Sequence, residues 1–225
     1  MGLEIKALDG KATIWLYGDI GESWFSDSIT AGEFKEQMLG IKAKDITLRI
    51  NSAGGDVFDG IAIKALLDQE KANIDVKIDG LAASAASLVA MAGDTIEMAQ
   101  GSMIMIHDPW TMAIGDSASM RDTADILDKV TVSLAESYAQ RSGQSIDLVR
   151  DMMKAESWFS ADEAVAFGLA DSMADAPAIA ASVSKHWKYR HCPINPENKA
   201  KTSGETAIER GKLTTHRARL KIARN

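Results

Sequence analysis

The sequence is poor in the residues that staple, anchor or export a chain. Among 225 residues there is one cysteine, Cys192, which cannot close an internal disulfide. The fold must therefore rest on a packed core, and a reducing cytoplasm is the expected setting. No long apolar run is present: the weakly polar stretch from Leu81 to Gly93 is 13 residues, mostly Ala and Ser. That falls short of the roughly 20 apolar residues that cross a bilayer, so no transmembrane helix and no membrane partner are expected. The opening MGLEIKALDG also lacks the basic and apolar regions of a secretory leader. Histidine is scarce as well. Of four, His186, His191 and His216 lie near the C-terminal end, which leaves His107 as the one candidate for histidine general-base chemistry in the core. One core histidine and no core cysteine make a poor ligand set, so no metal centre and no cofactor are expected.

What is present is unevenly distributed. The formal charge is -7, but residues 1–175 hold 14 basic and 29 acidic side chains, whereas residues 176–225 hold 11 and 3. This divides the chain into one folded domain over 1–175 and a basic segment over 176–225. The second part has too few apolar residues for a core and reads as disordered. Its KHWKYRH run sets Trp187 and Tyr189 among Lys185, Lys188 and Arg190. Such a run suits contact with nucleic acid or an acidic scaffold, a solvated extension, or a segment trimmed by the protein itself.

In the first part, Lys11–Tyr17, Asp45–Ile50, Ile74–Ile78 and Met103–Ile106 are short, rich in β-branched residues and closed by turn residues, as strands are. After Gly54-Gly55, Val57, Ile61 and Ala65 with Phe58, Ala62 and Leu66 repeat at helical spacing. A second strand, turn and helix unit runs from Ile74 into a helix beginning near Ser84. Alternation of this kind predicts an α/β fold with parallel strands and helical crossovers. Later helices are expected over Ala118–Gln140 and Ser145–Ala155. Ser160 and Glu163 have capping-box spacing, and Gly168 supplies a stop for a last short helix.

Three turns carry candidate chemistry. Gly80-Leu81-Ala82-Ala83-Ser84 places a serine where a strand gives way to a helix, whose positive end favours an oxyanion. Ser84 could equally cap that helix. Ser87, one turn on, is the rival nucleophile. Asn51-Ser52-Ala53-Gly54-Gly55 is a second strand-to-helix turn able to present N–H groups; it matches no phosphate-binding loop. The third is His107, closing the strand SMIMIH. None of these is the G-x-S-x-G elbow of α/β-hydrolases.

Taken in order, these segments resemble the ClpP family of self-compartmentalising serine peptidases across most of residues 10–173. Asn51-Ser52-Ala53-Gly54-Gly55 is similar to the family's N-S-P-G-G, and Gly80-Leu81-Ala82-Ala83-Ser84 to its G-x-A-A-S. Met105-Ile106-His107-Asp108-Pro109 is similar to M-I-H-x-P. Phe159-Ser160-Ala161-Asp162-Glu163-Ala164, with Gly168-Leu169-Ala170-Asp171, resembles L-S-A-x-E-A and Y-G-L-V-D.

The resemblance implies a ClpP/crotonase-like fold with Ser84 as nucleophile, His107 as general base, and the N–H groups of Gly55 and Ala85 as oxyanion hole. Glu156 stands where the family has its aspartate, with Asp151, Asp108 and Asp162 as rivals. The helix over Ala118–Gln140 corresponds to the protruding handle that joins rings, and Gly115 to the strand that receives extended substrate. A ring homo-oligomer, a heptamer or stacked rings, is implied. Ala53 for proline, a first strand about ten residues in, glutamate in the acid position and the basic segment resemble the head maturation proteases of tailed phages and prophages. These cleave capsid and scaffold proteins in the host cytoplasm or assembling procapsid; docking of a Clp-type ATPase is in doubt. Two other readings remain: a crotonase-like acyl-CoA hydratase or isomerase, and a catalytically inert capsid assembly ring.

Overall fold

Strand and helix alternate along the chain, and in the computed structural model, which describes residues 2–23, 27–177 and 189–191, they build one nine-stranded sheet with helices packed on it. The order is β1 (Leu3–Leu8), β2 (Lys11–Ile20), β3 (Ser28–Ile29), α1 (Ala31–Met38), β4 (Asp45–Gly55), α2 (Val57–Asp68), β5 (Asn73–Ala83) and α3 (Ala85–Ala90). Then follow β6 (Thr95–Gln100), β7 (Met103–Ile106), α4 (Ser117–Ser142), α5 (Ile146–Lys154), β8 (Ser157–Ser160), α6 (Ala161–Phe167) and β9 (Ser172–Pro177).

The sheet runs β1-β2-β4-β5-β6-β9. Among the described residues only the β1–β2 and β7–β8 pairs are antiparallel. Apolar and polar residues alternate in the central strands. Ile14 and Leu16, Ile46, Leu48 and Ile50, and Ile74, Val76 and Ile78 are buried on one face. Each such side chain contributes about 1.5–3 kcal/mol when fully buried. The other face is polar: register aligns Trp15, Arg49, Lys77 and Glu97 across four strands. Lys77 bonds Glu97 at 2.7 Å, and Arg49 pairs with the buried Asp79. Tyr17 donates to the same carboxylate at 2.6 Å, and its pKa is pushed up to about 12 by burial and by Asp79.

The expected strands and helices form, several of them longer than the sequence patterns suggested. The strand expected to be first, beginning about ten residues in, is preceded by β1. An Asp9-Gly10 turn with both residues at positive φ (51° and 76°) folds β1 back on β2. This is the hairpin turn that Asp-Gly favours. The α6 capping box and the left-handed Gly168 stop (φ 94°) are as expected, and Ser145 caps α5. β9 runs to Pro177, two residues past the point where composition changes. Among the described residues no helix is long and apolar enough to cross a membrane.

β5 positions the functional turns. Its first half pairs with β6, Asp75–Ile78 against Thr95–Met98, while its last residues, Leu81–Ala83, pair instead with β7. The strand thus changes neighbours along its length. Everything that follows its end is brought beside the end of β7.

Candidate active site

Register alone gathers the candidate residues. Ala83 of β5 pairs with Met105 of β7, so Ser84 comes beside the residues that close β7, and its N–H bonds Met105 O at 3.0 Å. Ser52 of β4 pairs with Ala82, which carries Gly54 and Gly55 to the same edge. Ile106 pairs antiparallel with Ser157, so the next residues outward are His107 and Glu156. Segments that are far apart in sequence therefore converge at one end of the sheet.

Ser84 is held in a backbone conformation that side chains rarely adopt, φ 54° and ψ -126°. Such a position costs on the order of 1–3 kcal/mol and persists only where the surroundings enforce it. Its hydroxyl makes no cap bond to α3; it lies 2.8 Å from His107 Nε2. The capping role left open by the sequence is not the one adopted. Gly54 enforces the arrangement from the side: at φ 92°, a Cβ there would lie 2.5 Å from Ala83 O, 2.7 Å from Ser84 Cβ and 2.9 Å from Ala85 N. Only glycine lets the two turns meet this closely. A Cβ on Gly60 of α2 would likewise lie 2.9 Å from the Ala85 methyl, so α2 packs directly on the start of α3.

Burial, the larger influence, lowers the His107 pKa from its ordinary value, and the nearby Glu156 carboxylate works in the other direction. The net shift favours a neutral imidazole, the form able to take a proton. Ser84 and His107 open on a cleft of about 1130 Å³. Its apolar lining includes Leu88, the α4 residues Leu127, Val130 and Leu134, and Phe58, Trp110 and Met112. The apolar stripe of α4 is split. Leu134, Ala135 and Tyr138 are buried, while Ile126 at 52% and Met120 at 41% exposure are open. Gly115 lies in an exposed stretch between β7 and α4 that forms no strand.

The rivals sit elsewhere. Ser87 is fully buried, donates to Ser84 O at 2.6 Å, and shares a 2.8 Å hydrogen bond with the Tyr138 hydroxyl. Burial raises the Tyr138 pKa. Asp162 accepts from Ser160 Oγ at 2.6 Å at the start of α6. Asp108 has its pKa raised by burial, with the charges of Arg150 and Lys154 opposing the shift. Asp151 is exposed on α5. Glu156, at φ 50°, stands near enough to act on His107 electrostatically, yet its oxygens are bonded to other groups. Oε1 accepts from Trp158 Nε1 at 3.2 Å and from His191 N at 2.7 Å, and Oε2 accepts from Arg190 N at 2.8 Å.

Sequence reasoning missed Trp158 and Tyr189 at this site. Tyr189 is 6% exposed, donates its hydroxyl to Ala53 O, and packs edge-on to His107 and Trp158 with ring centroids 5.6 and 5.8 Å away. The expected disorder of the basic segment lies otherwise outside the described residues. Among the described residues no group of three or more His, Cys, Asp or Glu is placed to hold a metal.

This arrangement has relatives. A family model described as Clp protease matches residues 5–177. The chain belongs to the Clp protease family. It is therefore a serine-type peptidase by family. It is 35% identical over 162 residues to an ATP-dependent Clp protease proteolytic subunit 1 from Synechococcus sp. (strain CC9902), covering 69% of this chain and 81% of that one. A subunit 2 from Parasynechococcus marenigrum (strain WH8102) is 35% identical over 168 residues, covering 72% and 84%. Among solved structures, a mutant ClpP1 from Listeria monocytogenes superposes with a TM-score of 0.63 at 23% identity, over 72% of this chain and 90% of the other. That likeness establishes the ClpP-like fold.

Proposed function

We propose that the chain is a serine endopeptidase that uses Ser84 as nucleophile and His107 as general base to process capsid and scaffold proteins during phage head maturation. The observation that carries the peptidase chemistry is the 2.8 Å approach of Ser84 Oγ to His107 Nε2 at the floor of an open cleft. As Ser84 Oγ attacks the scissile carbonyl carbon, its proton passes to His107 Nε2. The carbonyl oxygen becomes an oxyanion received by the N–H groups of Gly55 and Ala85, each such donor being worth about 10²–10³ in rate. The proton on His107 then goes to the departing amine, leaving an acyl-enzyme. Water repeats the sequence with His107 as base, and free Ser84 returns. Glu156 is the carboxylate that orients the imidazole when it is released to do so.

A cleft of about 1130 Å³, lined by apolar side chains together with Ser84 and His107, has room for several residues of a peptide. Glutamate at the acid position and the basic residues of 176–225 support the head maturation assignment. The open part of the α4 stripe, Met120 and Ile126, is the surface by which one ring of copies meets another. The test is to assemble particles from capsid and scaffold proteins with the wild-type chain or Ser84→Ala and to sequence the N-termini of the particle proteins. New termini with wild type alone support the assignment. Intact termini with both proteins, alongside turnover of a generic peptide, would keep the peptidase and reject this substrate class.

A further inference from the structure

The cleft lies on the Ser84 side of His107, and the back of the same imidazole carries a second, separate feature. There Ala53, Leu81, Ala83 and Met105, with Trp158 partly covering them, form an apolar socket filled by the Tyr189 ring. The Tyr189 hydroxyl ends on Ala53 O, so the aromatic residue is held at its tip as well as along its faces. Immediately after it, the Arg190 and His191 N–H groups both reach the Glu156 carboxylate, at 2.8 and 2.7 Å. None of Glu156, Trp158 and Tyr189 lines the substrate cleft.

We infer that this surface is a binding site for a peptide bearing an aromatic residue followed by two main-chain N–H donors, that Tyr189–His191 of this chain is its occupant, and that occupancy withholds Glu156 from His107. The inference rests on the reading of Ser84 and His107 as nucleophile and base. A carboxylate has about four lone-pair positions. Three are used here, two of them at the short lengths of charge-assisted bonds. Among the described residues His107 Nδ1 has no hydrogen bond, although register puts Glu156 directly across from it. With Nδ1 unanchored, the tautomer that leaves Nε2 free to accept the Ser84 proton is not fixed, and the imidazolium formed during attack has no bonded counter-charge. Undocking the segment returns Glu156 to that role. Because the substrate cleft is untouched, the change falls on kcat rather than on KM.

The test uses the full chain as wild type, Tyr189→Ala, which removes the ring and its hydroxyl, and His191→Pro, which removes one N–H donor and leaves Tyr189 in place. Imidazole ¹⁵N–¹H spectra report His107 Nδ1 directly, assigned with His107→Asn. In both variants the Nδ1 proton is expected to move downfield into the hydrogen-bonded range, and adding Glu156→Gln should reverse the move. With a fluorogenic peptide, kcat is expected to rise roughly tenfold or more while KM stays within about twofold, the rise being smaller for His191→Pro. An Nδ1 proton already hydrogen-bonded in wild type, or unmoved in both variants, overturns the proposal, as does a fall in kcat. Fluorophosphonate labelling of Ser84 in the same samples separates the two claims. Absence of labelling in every protein rejects the peptidase reading, while the spectrum still decides whether the segment withholds Glu156.

Discussion

The two sides of the His107 imidazole are built differently. On the Ser84 side, contacts are short and made by backbone geometry: the strained Ser84, the close approach of Gly54, and the parallel register of β5 with β7. On the Glu156 side, contacts are made by side chains and by a segment that arrives from far along the chain. The first is fixed by strand pairing, which involves cooperative hydrogen bonding along whole elements. The second is held by a few local contacts and is the side on which activity can be adjusted. Stability of the kind that survives fluctuation belongs to the sheet, and low-energy rearrangement belongs to edges like the second.

Breaking the Ser84 side should have the largest effects. Ser84→Ala removes the proposed nucleophile, and peptide turnover should fall by about 10⁴-fold or more, with a melting temperature close to wild type. Next is Gly54→Ala. A Cβ 2.5 Å from Ala83 O, at φ 92°, has nowhere to go without moving Ser84 or Ala85. Denaturant titration should show a loss of roughly 2 kcal/mol or more, and turnover should fall by about 10²-fold as the oxyanion donors shift. Equal turnover in Gly54→Ala would deny that the close approach of the turns matters to the chemistry.

The Glu156 side predicts gentler, graded changes. The His107 pKa lies below the ordinary histidine value of 6.5, burial being the dominant cause. With His107 as the proposed general base, the neutral imidazole is the form that works, and kcat/KM should rise with pH through a midpoint under that value and be flat above it. A midpoint above 6.5 would mean that the carboxylate outweighs burial. Ser87→Ala sharpens the contrast from within α3. It leaves the buried Tyr138 hydroxyl without its partner, so stability should drop by about 1–3 kcal/mol while turnover stays within a few-fold. Smallest of all, Asp162→Asn weakens the Ser160 contact at the α6 start and should change turnover by less than about twofold and stability by less than about 1 kcal/mol.

The Ser84 side was largely readable in advance because its determinants are local. Gly54-Gly55, the small residues before Ser84 and the strand ending at His107 each announce a turn at an element boundary, and parallel α/β topology brings such boundaries to one edge. The β1 hairpin is equally legible, since Asp9-Gly10 is a hairpin turn signal. So is the Thr30–Glu33 capping box that starts α1. The switch of β5 from β6 to β7 was not legible, since no residue type marks a strand that pairs with different neighbours along its length.

Glu156 could be placed by its motif, but its partners could not. They come from Trp158, two residues on, and from Arg190 and His191, more than thirty residues away. Tyr189 shows the limit most clearly. In a run of basic residues its composition signals solvent or a charged partner, and only the three-dimensional socket of Ala53, Leu81, Ala83 and Met105 reveals that it is buried. Charge describes the segment as a whole; burial is decided residue by residue.

The central claim is that Ser84, activated by His107, is the nucleophile. Labelling of the purified protein with a fluorophosphonate, read by intact mass for wild type, Ser84→Ala and Ser87→Ala, tests it directly. The account predicts one adduct on wild type and on Ser87→Ala and none on Ser84→Ala. An adduct retained in Ser84→Ala, or lost in Ser87→Ala with the fold intact, would contradict it.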